Sequence, residues 1–253
     1  MCTLTFVPTD DGYLVGMNRD ELFIRPAALP PKLFERRGIE MVYPREPSDG
    51  TWIACNGRGN LLGLLNWNRS ESRNLGEKPR TRGLVIPELL GMTDSSTTDT
   101  HFQQMNLDGL FSFRLVGVFL TEKVINEWRW DGTTRQILRL SWARKHWFSS
   151  SLSDSYAEKE RGRTCAAAAG EPAAGSEGWL RGLHRSHLPA PGPFSVCVHR
   201  PDAATVSYTE VRCGGAQISM DYLDGNPCLK KGFDALASLV LKGKLAHSKQ
   251  QPE

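Results

Sequence analysis

A chain of 253 residues with 31 Lys and Arg against 28 Asp and Glu carries a formal net charge of +3. That balance argues against electrostatic docking on nucleic acid. With 40% hydrophobic and 23% charged residues, the composition is that of an ordinary globular protein, long enough to bury a sizeable core. No apolar run approaches the roughly 18 residues of a membrane span, and Met1–Pro8 lacks the basic start of a signal peptide. These features predict a cytoplasmic protein without stable membrane insertion.

In chain order, residues 2–7 read as a strand that turns at Asp10-Asp11-Gly12 and returns over Tyr13–Asn18. Pro26, Pro30 and Pro31 predict an irregular loop. Residues 51–55 and 60–67 form a hairpin across Asn56-Gly57-Arg58-Gly59. Helices are expected over 84–90 and 100–105, followed by a meander of strands at 114–120, 124–130 and 134–140 and a further strand at 145–150. The Ala- and Gly-rich stretch around 158–182 reads as a low-complexity surface segment, either a mobile insertion or a short irregular helix. Strands are expected at 194–199, 205–211 and 217–222. A C-terminal helix over 229–245 would present Phe233, Leu236, Leu239 and Val240 on one face. No linker divides the chain, so one domain over 1–253 is expected. Strands in hairpins with helices clustered apart predict an α+β fold of mainly antiparallel sheets.

The six cysteines (Cys2, Cys55, Cys165, Cys197, Cys213 and Cys228) are scattered with no CxxC pair. They read as reduced thiols without a zinc-site spacing. His184, His187, Cys197 and His199 are potential ligands for a metal or haem iron, set against the plainer reading of a buried Cys and a hydrogen-bonded His. No metal site is expected on that balance. The basic run Lys78-Pro79-Arg80-Thr81-Arg82 is either an anion site or a solvated loop. Asn74 carries no readable signal.

Cys2 is the residue with the most chemistry. If Met1 is removed, Cys2 carries a thiol nucleophile and an α-amine of pKa about 7.7–8.0 that can act as its base. On position alone the plainer reading, a small residue entering a buried first strand, outweighs the catalytic one, and the rest of the chain shifts that balance. The turn at 10–12 returns Asn18-Arg19-Asp20 to the chain start, where Arg19 can hold a thiolate or anion and Asp20 can orient the amine.

The opening Met1-Cys2-Thr3, the string Asn18-Arg19-Asp20-Glu21, Gly50-Thr51-Trp52, the 56–66 hairpin and Thr81-Arg82-Gly83 resemble the NRDE family, which includes the transport and Golgi organisation protein 2 group. Residues 128–132, 147–151 and 195–209 extend the resemblance over nearly the whole chain. It implies a four-layer αββα sandwich similar to N-terminal nucleophile (Ntn) hydrolases, especially the cysteine amidases that cleave penicillin V or conjugated bile salts. By that resemblance Cys2 takes the nucleophile place and Asp20 that of the aspartate holding the amine. Asn66 falls on the oxyanion asparagine, and Arg200 on a later arginine. The chain departs from the amidases at Met17, where they carry an arginine, and at Ser149-Ser150-Ser151, where a second asparagine is missing.

The implied activity is hydrolysis of an amide or thioester through an acyl-enzyme, with Cys2, Arg19, Asp20, Asn66 and Arg200 as catalytic candidates. Asn18, Trp52, Trp67 and Arg82 are candidate ligand contacts. No cofactor is required. The alternative is a non-enzymatic carrier of haem or of an acyl-lipid or acyl-coenzyme A in the same cleft. Either reading implies a small-molecule partner, with a homo-oligomer left open.

Overall fold

The computed structural model describes residues 1–68, 80–215, 217–230, 232 and 237–242. Asn74, Lys78, Pro79, Phe233 and Leu236 lie outside them. Two antiparallel sheets stack face to face, and each is covered by a pair of helices.

Sheet A comprises β1 (Cys2–Pro8), β2 (Gly12–Leu22), β10 (Lys145–Ser149), β11 (Ala203–Gly214), β12 (Gln217–Asp224) and β13 (Ala237–Lys242). Its order is β10-β1-β2-β11-β12-β13. Sheet B is a seven-stranded meander in sequence order: β3 (Leu29–Arg36), β4 (Ile39–Arg45), β5 (Ile53–Asn56), β6 (Asn60–Asn66), β7 (Phe113–Phe119), β8 (Val124–Trp130) and β9 (Arg135–Leu140). Leu4, Phe6, Val15 and Met17 of sheet A meet Ile53, Leu61, Leu65 and Val116 of sheet B in the central core. The sheets approach closely where β6 crosses β1, because a Cβ at Gly63 would collide with Leu4 Cδ1.

On sheet B lie α1 (Val85–Leu89) and α2 (Ser95–Gln104), whose Val85, Ile86, Leu89 and Phe102 pack on Phe113 and Trp128. On sheet A lie α3 (Asp154–Ala168) and α4 (Glu177–His184), with Ala157, Cys165, Trp179 and Leu180 against Val7 and Leu14. This is the αββα sandwich that the sequence predicts. Among the described residues no helix is long and apolar enough to cross a membrane.

The structure corrects three sequence expectations and decides between two readings of a fourth segment. Residues 29–36, where the prolines predict an irregular loop, form a strand, and residues 39–45 pair with it. Pro30 and Pro31 are tolerated because β3 is the edge of its sheet, where the register shifts between Leu29 and Lys32. Of the two readings of the Ala-rich stretch, the helical one holds, with α3 running to Ala168 and α4 over Glu177–His184. Alanine is the strongest helix former, and the Ser153 hydroxyl caps α3 by accepting from Tyr156 N at 3.2 Å. Residues 194–199 make only isolated bridges, at Gly192–Val198 and His199–Ala204. The predicted C-terminal helix is replaced in the described residues by β13, paired antiparallel to β12 with Leu241 opposite Ile218. Its burial alternates with period two, Leu239 and Leu241 inward and Val240 outward.

Candidate active site

Cys2 opens β1 and pairs with Arg19 of β2 on one side and Ser149 of β10 on the other. Its backbone nitrogen donates to Ser149 Oγ at 2.9 Å. The preceding Met1 is buried over the same spot. Its carbonyl accepts from Asp20 N at 2.9 Å, and its sulfur accepts from Ser151 Oγ at 3.0 Å.

Alternation along β2 sends Arg19 and Asp20 to opposite faces of sheet A. Asp20 is fully buried. Its Oδ1 accepts from Thr205 Oγ1 at 2.6 Å, and its Oδ2 lies 3.3 Å from Arg161 Nη2. Arg161 enters from α3 and is itself 0% exposed. Its Nη1 donates to Thr3 Oγ1 at 2.8 Å and to the Cys2 carbonyl at 3.3 Å. Burial raises the Asp20 carboxyl above the usual range, and Arg161 and the chain terminus pull it back. Burial likewise raises the Cys2 thiol, against the lowering effects of the terminal amine and Arg19. A proton acceptor at the chain terminus therefore matters to this thiol.

In front of Cys2 opens a cavity of about 550 Å3, within the range of small-molecule sites. Cys2, Arg19, Asp20, Trp52, Asn66 and Arg82 all line it. Arg19 is committed to protein partners. Its Nη2 lies 2.8 Å from Glu46 and 3.1 Å from Glu21, and its guanidinium sits over the Trp52 ring at 4.6 Å. Asn66, at the end of β6, keeps its side-chain amide free of hydrogen bonds to other described residues. Arg82 donates to Ser112 O at 3.0 Å and lies over the Phe111 ring at 5.6 Å. Among the described residues no carboxylate lies within ion-pair distance of it, and burial lowers its pKa.

Three predicted site residues stand outside the cavity lining. Asn18 points to the helix face of sheet A, where its Nδ2 donates to His184 O and Val196 O at 2.9 Å each. Trp67 lies under Arg129 at 5.6 Å. Arg200 is held by both carboxylate oxygens of Asp202, at 2.9 and 2.7 Å, and its Nη1 reaches Ser151 Oγ at 3.1 Å beside Met1. Sequence reading missed two residues that touch the Cys2 backbone. Ser149 occupies the stretch where the amidase asparagine is missing. Arg161 sits inside the segment read as low complexity, and a lone arginine spaced four residues from Ala157 and Cys165 on the buried face of an Ala-rich helix was its signal.

These features define an Ntn-hydrolase-like αββα fold with Cys2 at the wall of a cavity. The sequence matches the family described as Transport and Golgi organisation 2 over residues 1–169, and the chain belongs to that family. No curated protein matches the sequence. Among solved structures it is similar to a variant of the conjugated bile acid hydrolase from Clostridium perfringens at 10% identity and a TM-score of 0.51, covering 99% of this chain and 100% of that one. A second variant of that hydrolase matches at 10% identity and a TM-score of 0.49, covering 95% and 96%. Penicillin V acylase from Agrobacterium tumefaciens matches at 9% and 0.45, covering 88% and 86%. At these identities the likeness is one of fold.

Proposed function

We propose that the chain is an N-terminal cysteine hydrolase that cleaves a small amide or thioester bearing an anionic group. The observation that carries this reading is Cys2 at the cavity wall, its backbone nitrogen 2.9 Å from Ser149 Oγ and its strand braced by the buried Asp20–Arg161 pair.

Loss of Met1 turns that nitrogen into an α-amine, with Ser149 Oγ placed to hold it. The amine takes the thiol proton, and the sulfur attacks the substrate carbonyl. The Asn66 amide donates to the developing oxyanion. Collapse of the intermediate breaks the C–N or C–S bond, and the α-amine returns its proton to the leaving group. Water, deprotonated by the same amine, then releases the acid and restores the thiol. Arg82 is the anion contact, since Arg19 and Arg200 are occupied by carboxylates. A partly buried guanidinium with no carboxylate partner among the described residues suits a substrate carboxylate or phosphate.

A second reading rests on the same cavity. Trp52 and Phe111 beside Arg82 also suit an anionic amphiphile held without turnover, as in a haem or acyl-coenzyme A carrier.

Intact mass of the purified protein, before and after a thiol-reactive acyl probe, separates the readings. The hydrolase predicts a chain lacking Met1 and a single adduct on Cys2. It also predicts turnover in a screen of N-acyl amino acids and acyl thioesters that Cys2→Ala abolishes. Retained Met1 without preferential labelling of Cys2 would overturn it. Saturable haem or acyl-ligand binding undiminished in Cys2→Ser would support the carrier.

A further inference from the structure

At the end of sheet A, away from the cavity lining, three loops converge on four side chains that the proposed chemistry does not use. His187 follows α4, Cys197 and His199 lie in the irregular 194–200 segment, and Cys228 lies in the short helical turn Pro227–Leu229. Their ligand atoms all fall within 4.8 Å of one another. His199 Nε2 is 2.9 Å from His187 Nε2 and 3.4 Å from Cys228 Sγ.

We propose that these four residues form a structural zinc site. Two thiolates and two imidazoles are a donor set that zinc favours, and four protein ligands make a closed, non-catalytic centre. Tetrahedral zinc with Zn–N of about 2.0–2.1 Å and Zn–S of about 2.3 Å requires ligand–ligand edges of about 3.3–3.8 Å. The spacings present need only small side-chain adjustments to meet that. On binding, each cysteine thiol loses its proton to solvent, so the two thiolates neutralise the zinc charge.

Asn226 supplies the outer shell. Its Oδ1 accepts from both sulfurs at 2.9 Å, and its Nδ2 lies 3.4 Å from His199 Nε2. Once the thiols are deprotonated, rotation of this amide turns its N–H groups toward the sulfurs.

The site has a structural purpose. The 194–200 segment lacks a strand ladder, yet Val198 N donates to Thr205 Oγ1 at 2.8 Å, and Thr205 Oγ1 donates to Asp20. A metal tying Cys197 and His199 to Cys228 and His187 would fix the segment that supports Asp20 and carries Arg200. The sequence offered His187, Cys197 and His199 as potential ligands together with His184; the structure replaces His184 with Cys228, which lies 31 positions beyond Cys197.

The test uses the full-length wild-type protein, reduced, stripped with a chelator and titrated with Co2+. The expected result is one equivalent bound, with sulfur-to-cobalt charge transfer and the intense d–d bands of tetrahedral cobalt, both lost on adding Zn2+. Cys197→Ser and Cys228→Ser should each weaken Co2+ binding by more than the ~10–100-fold expected for Asn226→Ala. Cys165→Ser should change nothing. If the ligand variants do not fold, wild-type protein still decides: zinc should slow alkylation of Cys197 and Cys228 and leave Cys55, Cys165 and Cys213 unaffected. Cobalt spectra without charge transfer, charge transfer that survives both cysteine substitutions, or alkylation indifferent to zinc would each overturn the site. None of these readouts depends on hydrolysis.

Discussion

The two helix layers cover their sheets by different means. On sheet B, α1 and α2 pack through Val85, Ile86, Leu89 and Phe102, and Asp99 only trims the edge by accepting from Trp128 Nε1 and Asn126 Nδ2. On sheet A, α3 drives a fully buried arginine beneath the first residues of the chain, and α4 buries His184 against Thr5. An apolar cover stabilises wherever it fits, whereas a buried charge stabilises only when its partner is in place. The sheet A layer is therefore tied to the geometry at Cys2, and the sheet B layer is not.

The largest expected effect breaks that difference open. Arg161→Ala leaves Asp20 buried and unpaired and should cost ~3–5 kcal/mol in denaturant unfolding. It should also change the alkylation rate of Cys2, since Arg161 holds the Cys2 carbonyl and Thr3. Phe102→Ala should cost a similar ~3–5 kcal/mol and leave Cys2 alkylation of the folded protein unchanged. Asp20→Asn combined with Arg161→Met should be less destabilising than Arg161→Ala alone. Equal Cys2 rates in Arg161→Ala and Phe102→Ala would erase the distinction between the layers.

Next in size comes the cavity. Arg82→Ala should raise KM for an anionic substrate by ~10–100-fold at nearly constant kcat, the loss of one charged hydrogen bond of ~1.5–3 kcal/mol. Arg200→Ala should move KM far less, because Asp202 already occupies it. A substrate with its anionic group esterified should be indifferent to Arg82→Ala.

The buried histidines give sheet A an acid sensitivity. Burial lowers His184 from 6.5 to about 3, and His146, bonded through Thr5 to the same network, from 6.5 to about 4. Between pH 6.5 and those values the unfolded chain binds protons that the folded chain refuses. Stability is therefore complete above pH 6.5 and falls as the pH drops, by up to about 1.4 kcal/mol per pH unit for each histidine. His184→Gln should flatten the decline in urea midpoint between pH 6.5 and 4.5. An unchanged slope would show that His184 is not the proton-linked group.

What the sequence revealed tracks how local each signal is. The β1–β2 hairpin and its Cys2–Arg19 register follow from one turn and two apolar runs, so the grouping of Cys2, Arg19 and Asp20 was legible. Asn66 and Trp52 were placed by the 56–59 hairpin, although the left-handed residue there is Gly59 and not the Asn-Gly pair. Arg161 and Ser149 were not legible as site residues, since they reach Cys2 across about 150 residues through tertiary packing. Asn18 shares the helix face of sheet A with Asp20, and its amide is taken up by His184 O and Val196 O instead of reaching the cavity.

The smallest expected effect concerns β13, where period and not hydrophobicity decides. A helix over 229–245 would put Leu239 and Val240 on one buried face, so both would be costly to change. In the strand, Val240 is 53% exposed and Leu241 is 1% exposed. Val240→Thr should then shift stability by less than ~0.5 kcal/mol, and Leu241→Ala should cost ~2–4 kcal/mol by opening a cavity between the sheets. Leu241 packs with Ile218 and Met220 in the central core, which both helix layers share through their sheets. Its loss should therefore destabilise the fold without the change at Cys2 expected of Arg161→Ala. Denaturant midpoints of the two variants, read beside Cys2 alkylation, test both the strand and its separation from the active-site bracing.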